Sequence, residues 1–595
     1  MSDFAQWRRV NRALLAKALG EWCYEGLLDP ERTGDRYAIA LGGGVRYEFA
    51  AEPEAFGWLR VEEDTVVRYG AGLLGNQVGE PAWDVRRLLV DAAGTIGVDP
   101  ATTGAYLGEL SATLSADAEL AGGPPAHELV GLDHAEIEGH LTGHPWLVAN
   151  KGRIGFTATD LRRYPPEARR RLRLRWIAVH RGLAEFRGTP GLSEHQVRLA
   201  ELGAETVAAF GARLTDAGLD PDSYVWFPVH PWQWDRVIRV EYAGELAERR
   251  IVTLGESPDE YLPQQSIRTL TNMTERRRYD VKMPLSIMNT SVWRGIPPHC
   301  AAGAPVLTSW LTGLLGRDPE LAGTVLLGEV ASVTVRHPYL STVDSVPYRH
   351  LETLGCIWRT PVATVLEDGE HARPLSALLH VDGVGGALVA ELVRASGKAA
   401  TDWLGTLFDV LLGPLAYLLY RYGATFNPHG QNALLTYGPD ETPKRLLLKD
   451  FIDDAELSAT VMPEREPEPV GLVPRKPPAL IAQHVVDSVL VGHLRYLAPL
   501  CATHLGVPRE RFWELARAAI LSTQQRVPDL ADRFGEYDLL AATFPRYRLN
   551  ADRLVVTGYG DQPIRHAIGA LGTVPNPLHQ DESSRTVPAS RTAAR

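Results

Sequence analysis

The spacing of apolar residues predicts long helices at both ends of the chain. Residues 4–28 carry apolar side chains every three or four positions, which is the pattern of an amphipathic helix. Residues 84–120, 385–422 and 479–542 are predicted to be helical on the same grounds. The most apolar stretch, Leu404 to Leu419, is too short to span a bilayer, so we expect a buried core helix and no membrane insertion.

Strand-forming residues are concentrated in the middle of the chain and in two hairpins. They occur in runs from about 222 to 300 and again near 323–335. A first hairpin is predicted from Tyr37–Ala40 and Val45–Phe49, which flank three glycines. Neither lysine nor serine follows these glycines, and no strand–loop–helix order surrounds them, so a plain turn is favoured over a phosphate-binding loop.

The second predicted hairpin lies in the C-terminal part of the chain. It comprises Ala433–Tyr437 and Arg445–Phe451, joined by a Gly-Pro-Asp turn. Residues 463–478 are rich in proline and charge, which predicts an exposed connector. Residues 581–595 are polar and lack periodicity, so we expect a disordered tail.

Composition narrows the class of protein. With 595 residues the chain is too long for one core, so two or three domains are expected. Hydrophobic residues make up 45% and charged residues 23%, as in ordinary globular proteins. The net charge of -12 (61 Lys plus Arg against 73 Asp plus Glu) argues against a nucleic-acid partner.

The cysteines and the N-terminus bear on the compartment. Cys23, Cys300, Cys356 and Cys501 are far apart and form no CxxC pair, so neither a zinc ribbon nor a disulfide framework is predicted. The first residues include no apolar segment of the kind found in secretory signals. A reduced, cytoplasmic setting is therefore expected.

The candidate chemistry begins with cations on predicted strands. Within about thirty residues the chain carries Gln265–Thr269, Lys282–Ile287 and Thr290–Arg294, which together offer two guanidiniums, an ammonium and several hydroxyls. Arginine binds oxyanions through a planar fork and lysine acts as a point charge. This inventory favours a site that holds a polyanion close to a carboxylate. The alternative is a run of surface charges.

A glycine-punctuated segment, Gly143–Phe156, adds an imidazole and two cations. His144, Lys151 and Arg153 can surround one anion, because glycine allows backbone to approach a ligand closely. His140 and His144 are four residues apart, as in a zinc helix, but Leu141 stands where a metalloprotease has glutamate. A solvated basic loop is the alternative interpretation.

Two further segments carry histidines. His429-Gly430-Gln431-Asn432 and then Lys449-Asp450 offer an imidazole, two amides and a carboxylate at the second hairpin. These groups suit a nucleotide phosphate with Mg²⁺, and Asp450 is the candidate metal ligand. His230, in a Pro- and Trp-rich segment, is predicted to be a hydrogen-bonded core histidine. No GxxxxGK[ST] or GxSxG motif is present, which excludes a P-loop and disfavours an α/β-hydrolase.

These segments together resemble the NRPS-independent siderophore (NIS) synthetases, the family named after the aerobactin synthetases. Seven matches follow the family order over nearly the whole chain. They are Gly143–Phe156, His230–Gln233, Gln265–Thr269, Lys282–Arg294, His429–Asn432, Lys449-Asp450 and Asn576–Leu578.

The resemblance implies an α+β class with a cupped-hand fold, usually dimeric. It divides the chain into a thumb at 1–160, fingers at 161–385 and a palm with kinase-like hairpin elements at 386–580. It also implies a homodimer.

The resemblance further implies ATP-dependent joining of a small carboxylate to an amine or hydroxylamine, with Mg²⁺. The implied ATP-site residues are Lys151, Arg153, Ser266, Arg268, Thr269, Lys282, His429, Gln431, Asn432 and Asp450. The residues implied to face the acid are His144, Thr290 and Arg294, with Lys282 as a further catalytic cation. Asp450 is the implied metal ligand.

The acid itself stays open. Leu147-Val148 stand where many members carry a second His-Pro, and the form of the 148–153 segment resembles the desferrioxamine-type branch. Residues 282–294 instead resemble members that use citrate. Citrate, a citryl monoamide and a succinyl derivative are therefore all candidates, activated as an acyl adenylate.

Two other functions are weighed. A small-molecule kinase would explain His429 followed by Asp450, but such kinases place an aspartate base where Gln431 stands. A non-catalytic binder of citrate or a siderophore would bind its ligand without ATP turnover.

Overall fold

The computed structural model describes residues 4–71, 77–290, 292–465, 468–469, 471–563 and 568–580. The predicted tail at 581–595 lies outside the described residues. Helices and sheets are both extensive, which confirms the mixed α+β content. The helices of eight or more residues are α1 Phe4–Tyr24, α2 Val85–Ile96, α3 Pro100–Leu120, α4 Glu194–Asp216, α5 Pro298–Leu315, α6 Leu388–Ser396, α7 Ala400–Tyr422, α8 Pro478–Leu505 and α9 Arg509–Arg526.

The strands are short and fall into several sheets. In chain order they are β1 Glu31–Thr33, β2 Arg36–Ala40, β3 Arg46–Pro53, β4 Leu59–Val61, β5 Val67–Ala71, β6 Gln77–Pro81, β7 Arg175–His180, β8 Ala184–Gly188, β9 Tyr224–Val229, β10 Ile251–Glu256, β11 Tyr261–Pro263, β12 Thr269–Asn272, β13 Asp280–Lys282, β14 Leu285–Asn289, β15 Val292–Arg294, β16 Thr324–Leu326, β17 Glu329–Val335, β18 Gly355–Arg359, β19 His371–Pro374, β20 Ala424–Thr425, β21 Ala433–Tyr437, β22 Pro443–Leu448, β23 Glu456–Ser458, β24 Arg475–Lys476, β25 Thr543–Tyr547 and β26 Ala570–Pro575.

The N-terminal part confirms the predicted helices and the first hairpin. β2 and β3 pair antiparallel around a tight turn at Gly42–Gly44, as expected for a plain hairpin. The predicted helical region 84–120 is two helices, α2 and α3. Asp99 separates them and caps α3, because its side chain accepts hydrogen bonds from two backbone N–H groups at the start of that helix.

Two sheets position the candidate site. The central sheet has the order β11-β12-β13-β18-β17-β8 and is antiparallel throughout. The C-terminal sheet has the order β16-β22-β21-β19. β16 pairs parallel with β22, and Leu327 N donates to Leu448 O at 2.8 Å. This pairing brings the chain that leads into β17 against the end of the second hairpin.

The predicted second hairpin is correct in its strands but ends earlier than expected. β21 and β22 pair antiparallel. β22 stops at Leu448, and a short helix, Phe451–Asp454, follows instead of further strand. Asp450, between them, has a left-handed φ of 62°. The strand prediction for residues up to Phe451 was therefore wrong, because the chain turns at Asp450.

Three further sequence predictions can be compared with the structure. The connector prediction at 463–478 was only partly right, because Arg465 and Val473 are buried against the rest of the protein. His230 is fully buried and accepts a hydrogen bond from the Trp232 backbone at 3.1 Å, as predicted for a core histidine. The strand-rich region from 222 to 300 is interrupted by helical turns between Pro231 and Ala247.

Apolar side chains form three large clusters. One joins α1, α2 and α3 to the N-terminal sheet, a second underlies the central sheet, and the third surrounds α7, α8 and α9. α7 and α8 are long and apolar enough to be candidate membrane spans among the described residues. Their most apolar windows are 72% and 78% buried inside the protein, as for core helices. α5 packs into the third cluster although it precedes residue 385, and the predicted boundaries at 160 and 385 stay predictions.

Candidate active site

A buried lysine, Lys282, lies where the central sheet meets the C-terminal hairpin. Its ammonium is 3.0 Å from Asp450 Oδ1, 3.0 Å from Asp453 Oδ2 and 3.2 Å from Glu329 Oε1. The lysine ends β13, Glu329 begins β17, and the two aspartates follow β22. Two separate segments of the chain therefore supply three carboxylates to one cation from a third segment, and we call these four side chains the Lys282 cluster.

A second cation, Arg359, adjoins the Lys282 cluster from β18. Its guanidinium donates to Asp280 Oδ2 at 2.8 Å and to Gln264 Oε1 at 3.0 Å. It also lies 3.4 Å from Asp450 Oδ2. The Lys449 ammonium is 3.4 Å from the same Gln264 oxygen. Buried charges here are paired and hydrogen-bonded, as buried charges in proteins must be.

The electrostatics of the cluster favour the charged forms of Lys282 and Asp450, whereas burial raises the pKa of Glu329. Burial alone would lower the pKa of Lys282, but Asp450, Asp453 and Glu329 raise it above its ordinary value. Burial would likewise raise the pKa of Asp450, but Lys282, Arg359 and then Lys449 hold it below the usual range. The ammonium and this carboxylate are thus both charged at neutral pH.

Negative charge is in excess at one side of the cluster. Burial, followed by repulsion from Asp453, raises the pKa of Asp454 to about 7. Its two oxygens accept hydrogen bonds from Asn432 Nδ2 at 2.8 Å and Asn427 Nδ2 at 3.1 Å. A carboxylate held at this pKa marks a place where another positive charge would be favourable.

Mg²⁺ fits this donor set if a nucleotide completes it. Among the described residues, no three His, Cys, Asp or Glu side chains are grouped so as to hold a metal ion by themselves. Magnesium typically takes one or two protein carboxylates, with phosphate oxygens and water filling its octahedron. Asp450, with Asp453 and Asp454 beside it, offers such carboxylates.

Two histidines, His144 and His429, have a ring nitrogen that can donate a hydrogen bond. Nδ1 of His144 accepts from the Leu147 backbone at 3.3 Å. Nδ1 of His429 accepts from the backbone N–H groups of Gln431 and Asn432 at 3.2 and 3.3 Å. When Nδ1 accepts, a neutral imidazole carries its proton on Nε2. Each neutral ring therefore carries its N–H at Nε2.

These imidazoles are neutral at pH 7 and lie beside an arginine. Burial lowers the pKa of His144 to about 3, with further contributions from His429, Lys17 and Arg294. Burial also lowers the pKa of His429 to about 4, although Asp450 opposes the shift. Two neutral donors and one guanidinium thus share a neighbourhood, and we call His144, His429 and Arg294 the imidazole–arginine group.

Of the remaining predicted residues, Arg268, Ser266 and Thr269 lie near Lys282, whereas Thr290 faces a different cavity. Arg268 donates to Asp453 Oδ2 at 3.0 Å and to the Gly295 carbonyl. Ser266 Oγ accepts from the Thr269 backbone at 3.1 Å. The Thr269 hydroxyl is buried and has no hydrogen-bond partner among the described residues. Thr290 has a positive φ of 47° and lines a separate cavity of about 120 Å³.

Lys151 occupies a different environment. Its ammonium donates to Asp117 Oδ1 at 2.8 Å, to Asn150 Oδ1 at 3.2 Å and to the Thr142 carbonyl. These three acceptors match the three donors of an ammonium. A phosphate contact would require one of them to be exchanged, so the nucleotide role of Lys151 stays a prediction.

Arg153 is also committed to a local partner. Both terminal nitrogens pair with the Glu167 carboxylate, and both side chains are buried. The next residue, Ile154, forms a β-bridge with Met288 of β14. The loop is thereby tied to the strand that precedes Thr290, and the phosphate contact predicted for Arg153 remains to be tested.

The comparisons with known proteins decide the family. The model described as "IucA / IucC family" matches residues 133–380. The rhizobactin siderophore biosynthesis protein RhbF of Rhizobium meliloti is 37% identical over 96% of each chain. Aerobactin synthase of Escherichia coli is 35% identical, over 92% of this chain and 94% of its own.

The chain belongs to the IucA / IucC family of siderophore synthetases. The structure of aerobactin synthetase IucC from Klebsiella pneumoniae superposes with a TM-score of 0.84 and 32% identity, over 96% of this chain and 98% of that one. A second model, described as "Ferric iron reductase FhuF-like transporter", matches residues 401–562. The family resemblance drawn from the sequence motifs is confirmed.

Within this family member, sequence reasoning missed several site residues. Glu329, Arg359 and Asp453 contact predicted residues but were not predicted themselves. The acidic run that contains Asp453 and Asp454 follows the predicted Asp450 directly, so this signal was available. Nothing near Glu329 or Arg359 in the sequence marked them out, because only strand pairing brings them to the site.

Proposed function

We propose that the protein is an ATP-dependent siderophore synthetase that activates a small carboxylate as an acyl adenylate and joins it to an amine or hydroxylamine. The acid is citrate, a citryl monoamide or a succinyl derivative. Family membership supports the ligase class, and the arrangement of charges supports the division of labour described below. The predicted cytoplasmic location and homodimer stay predictions.

The Lys282 cluster suits the triphosphate side of the reaction. Lys282, Arg268 and Arg359 bring positive charge to the end of β13, and Lys449 adds to it. Ser266 and Thr269 add hydroxyls at the same strand edge. The Thr269 hydroxyl has no hydrogen-bond partner among the described residues. Bound Mg²⁺ would neutralise phosphate charge from the side of Asp450.

The imidazole–arginine group suits the acid and the charge that develops on it. Arg294 would pair with the carboxylate, and the Nε2–H groups of His144 and His429 would donate to its oxygens or to the α-phosphate. Neutral donors are well suited to this task, because they stabilise developing charge without competing for the acid as ion-pair partners. One preorganised donor of this kind is typically worth about 3–4 kcal/mol in the transition state.

The proposed reaction has two steps. A carboxylate oxygen attacks the α-phosphorus of ATP, the bond to the β-phosphate oxygen breaks, and pyrophosphate leaves. The amine nitrogen next attacks the acyl carbon, the acyl–oxygen bond breaks, and AMP leaves. The nitrogen loses a proton and the product is an amide or a hydroxamate. Positioning contributes much of the second step, since an acyl adenylate is already reactive.

The observation that carries the proposal is the electrostatic interaction of His144 with His429 and Arg294, together with that of His429 with Asp450 of the Lys282 cluster. Acid-dependent exchange of labelled pyrophosphate into ATP tests it. A panel of citrate, succinate and monoacylated acids would identify the substrate. Exchange with at least one acid, and AMP as the nucleotide product, are expected.

A matched pair of arginine variants tests the assignment of Arg294. Arg294→Ala should lower acid-dependent exchange by about 10²–10³-fold while ATP still binds. Arg187→Ala, at a largely exposed surface pair with Glu185, is the control. Wild-type exchange in Arg294→Ala would remove that residue from the site. ADP with a phosphorylated acceptor would instead identify a kinase, and binding without turnover a carrier.

A further inference from the structure

The orientation of the His144 ring depends on one peptide group. The backbone N–H that donates to Nδ1 of His144 is that of Leu147. It belongs to the peptide between Trp146 and Leu147. Because a peptide is planar, the direction of this N–H follows from the position of the Trp146 carbonyl. A group that holds that carbonyl therefore also aims the N–H donor at the His144 ring, which keeps the imidazole proton on Nε2.

A distant asparagine, Asn550, holds this peptide and the next. It lies in the short helix Leu549–Ala551 and is 1% exposed. Its Nδ2 donates to the Trp146 carbonyl at 3.2 Å, and its Oδ1 accepts from the Val148 backbone N–H at 2.9 Å. An amide carries a donor and an acceptor side by side, so one buried side chain fixes two successive peptide groups of the loop.

A buried carboxylate, Glu25, in turn orients Asn550. Glu25 directly follows α1 and is fully buried. Its Oε1 accepts from the Asn550 side chain at 2.7 Å and from the Trp146 indole at 2.8 Å. Its two oxygens also accept from the backbone N–H groups of Asn550 and Ala551, at 3.0 and 2.7 Å. With the Asn550 amide reversed, its oxygen would face this carboxylate, so Glu25 leaves the amide one orientation.

These contacts need a carboxylate, although the position of Glu25 disfavours one. The four donors are all N–H groups of neutral residues. A glutamine could accept only at its oxygen, and its NH₂ group would face one of these N–H donors. The C-terminal end of α1 carries the negative end of the helix dipole, and burial also opposes a negative charge. The four hydrogen bonds are therefore what favours the ionised form of Glu25.

Protonation of Glu25 would turn one of its acceptors into a donor. Burial raises the pKa of Glu25 to about 7, although hydrogen bonds from two backbone N–H groups oppose the shift. Burial also raises the pKa of Glu21, so a substitution at Glu25 is needed to separate the two titrations. The charged and titratable groups around Glu25 include Glu21 and Tyr24 of α1, Tyr106 of α3, Arg495 of α8 and Arg546 of β25.

We infer that Glu25 and Asn550 are positioning residues that orient His144 for activation of the acid. Glu25 fixes Asn550, Asn550 fixes the peptide before Leu147, and that peptide directs its N–H to the His144 ring. Both residues act through His144. The inference rests on the proposed function and adds to it the groups that set the tautomer and direction of one proposed donor.

A double-mutant cycle in the full-length protein tests whether Glu25 acts through His144. Glu25→Gln should lower the kcat of acid-dependent pyrophosphate exchange by about tenfold or more, because a displaced catalytic group loses its alignment. The KM for ATP should stay within about twofold of wild type. In a His144→Ala background the same substitution should change exchange by less than about twofold. Equal effects in the two backgrounds would overturn the inference.

Glu201→Gln is the matched control. Glu201 is also a buried carboxylate, and burial raises its pKa to about 8. It accepts from the Tyr279 backbone at 3.0 Å and from the Tyr261 hydroxyl at 3.4 Å, beside the central sheet. This variant should lower stability in urea unfolding but keep exchange within about twofold of wild type. A loss of exchange as large as that of Glu25→Gln would show a general effect of buried carboxylates and would overturn the inference.

The pH profile distinguishes positioning from a purely structural role. The ratio of wild-type exchange to Glu25→Gln exchange cancels groups that titrate in both proteins. Because wild-type Glu25 loses its charge as pH falls through about 7, this ratio should decrease towards one between pH 8 and pH 6. A ratio that stays constant over this range would contradict the role given to the carboxylate.

Amide hydrogen exchange tests the anchoring of the loop without turnover. Peptides that cover residues 144–150 should lose protection by about fivefold or more in Glu25→Gln, while peptides from α9 keep theirs. Asn550→Ala, which removes both bonds to the loop backbone, should reproduce the loss of protection and of exchange, and it replaces Glu25→Gln if that variant does not accumulate. Unchanged protection of residues 144–150 would refute the inference.

The two levels of the argument can fail separately. Absence of pyrophosphate exchange with every acid in the wild type would refute the proposed function, whatever the protection of the loop. Wild-type exchange that is unaffected by Glu25→Gln and by Asn550→Ala would refute only the inference.

Discussion

Two buried lysines, Lys282 and Lys151, show how one residue type acquires different properties. They are 3% and 2% exposed, and the family resemblance implies a phosphate contact for both. Lys282 shares three carboxylates, and these overcome burial to raise its pKa. Lys151 has one carboxylate partner, Asp117, and burial prevails, so its pKa is lowered.

The pKa of a buried cation thus depends on how many carboxylates it is paired with. Around Lys282 the carboxylates outnumber the ammonium and come from separate segments, so under the proposed function a metal ion and phosphates would rearrange the pairing. Lys151 is satisfied by groups within and beside its own loop. A cation of the second kind holds a loop in place, whereas a cation of the first kind is suited to exchange partners with a ligand.

The largest expected effect comes from removing each lysine in turn. Lys282→Met leaves three carboxylates without their shared cation, so it should lower exchange by about 10²–10³-fold. It should also destabilise the protein by about 3–5 kcal/mol. Lys151→Met should cost stability but keep exchange within about tenfold of wild type. Urea unfolding and pyrophosphate exchange measure both quantities.

If Lys151→Met is folded and loses exchange as completely as Lys282→Met, the two lysines do not differ in role. Lys151 would then contact phosphate despite its three protein partners. Lys282→Arg, which keeps the charge, provides a folded reference if the methionine variant does not accumulate.

The next effect tests whether the Asp450 carboxylate binds Mg²⁺. Asp450→Asn should raise the magnesium concentration needed for half-maximal exchange by about tenfold or more. Asp117→Asn, at the partner of Lys151, should leave the magnesium response unchanged. Titration of exchange with Mg²⁺ measures both, and an unaltered response in Asp450→Asn would refute its metal role.

The third effect is a pH dependence of stability at Asp454. Its pKa is raised from an ordinary value near 3.8 to about 7, so the folded protein binds this proton more tightly than the unfolded chain does. The associated stability is fully present below the unfolded pKa and is lost as pH rises towards 7, by roughly 1 kcal/mol per pH unit. Asp454→Asn should remove this slope.

Urea unfolding of wild type and Asp454→Asn at pH 5, 6, 7 and 8 measures the difference. If the free energy of unfolding of the two proteins changes with pH in the same way over that range, the pKa of Asp454 is not near 7. The excess of negative charge around Lys282 would then be smaller than the structure indicates.

The smallest effect compares two threonines of strand β12. The Thr269 hydroxyl lacks a protein partner among the described residues, whereas the Thr271 hydroxyl accepts from Gln264 Nε2. Thr269→Val should leave stability unchanged and raise the KM for ATP by about 3- to 10-fold, the value of one hydrogen bond. Thr271→Val should instead lower stability. The reverse pattern would place the nucleotide elsewhere.

The motifs predicted correctly that several of these charged residues lie together, and their roles stay predictions. Lys282, Arg268 and Asp450 were expected to lie close together, although 182 positions separate Arg268 from Asp450. In the structure Arg268 pairs with Asp453, and Lys282 pairs with Asp450. Helix α1 and both hairpins were predicted from periodicity and turn residues, because these signals are local. The turn at Asp450 was missed, since a left-handed residue after a strand leaves little trace in periodicity.

The sequence was enough to predict the family, the main helices and hairpins, and the residue types that gather around Lys282. The fold, and not the sequence, shows that Lys282 is shared by carboxylates of distant segments whereas Lys151 pairs with Asp117 and Asn150. The reason is that pKa and pairing depend on burial and on groups from distant segments. Glu329 meets Lys282 because β17 lies in the same sheet as β13 and β16 pairs with β22, and no local pattern encodes that meeting.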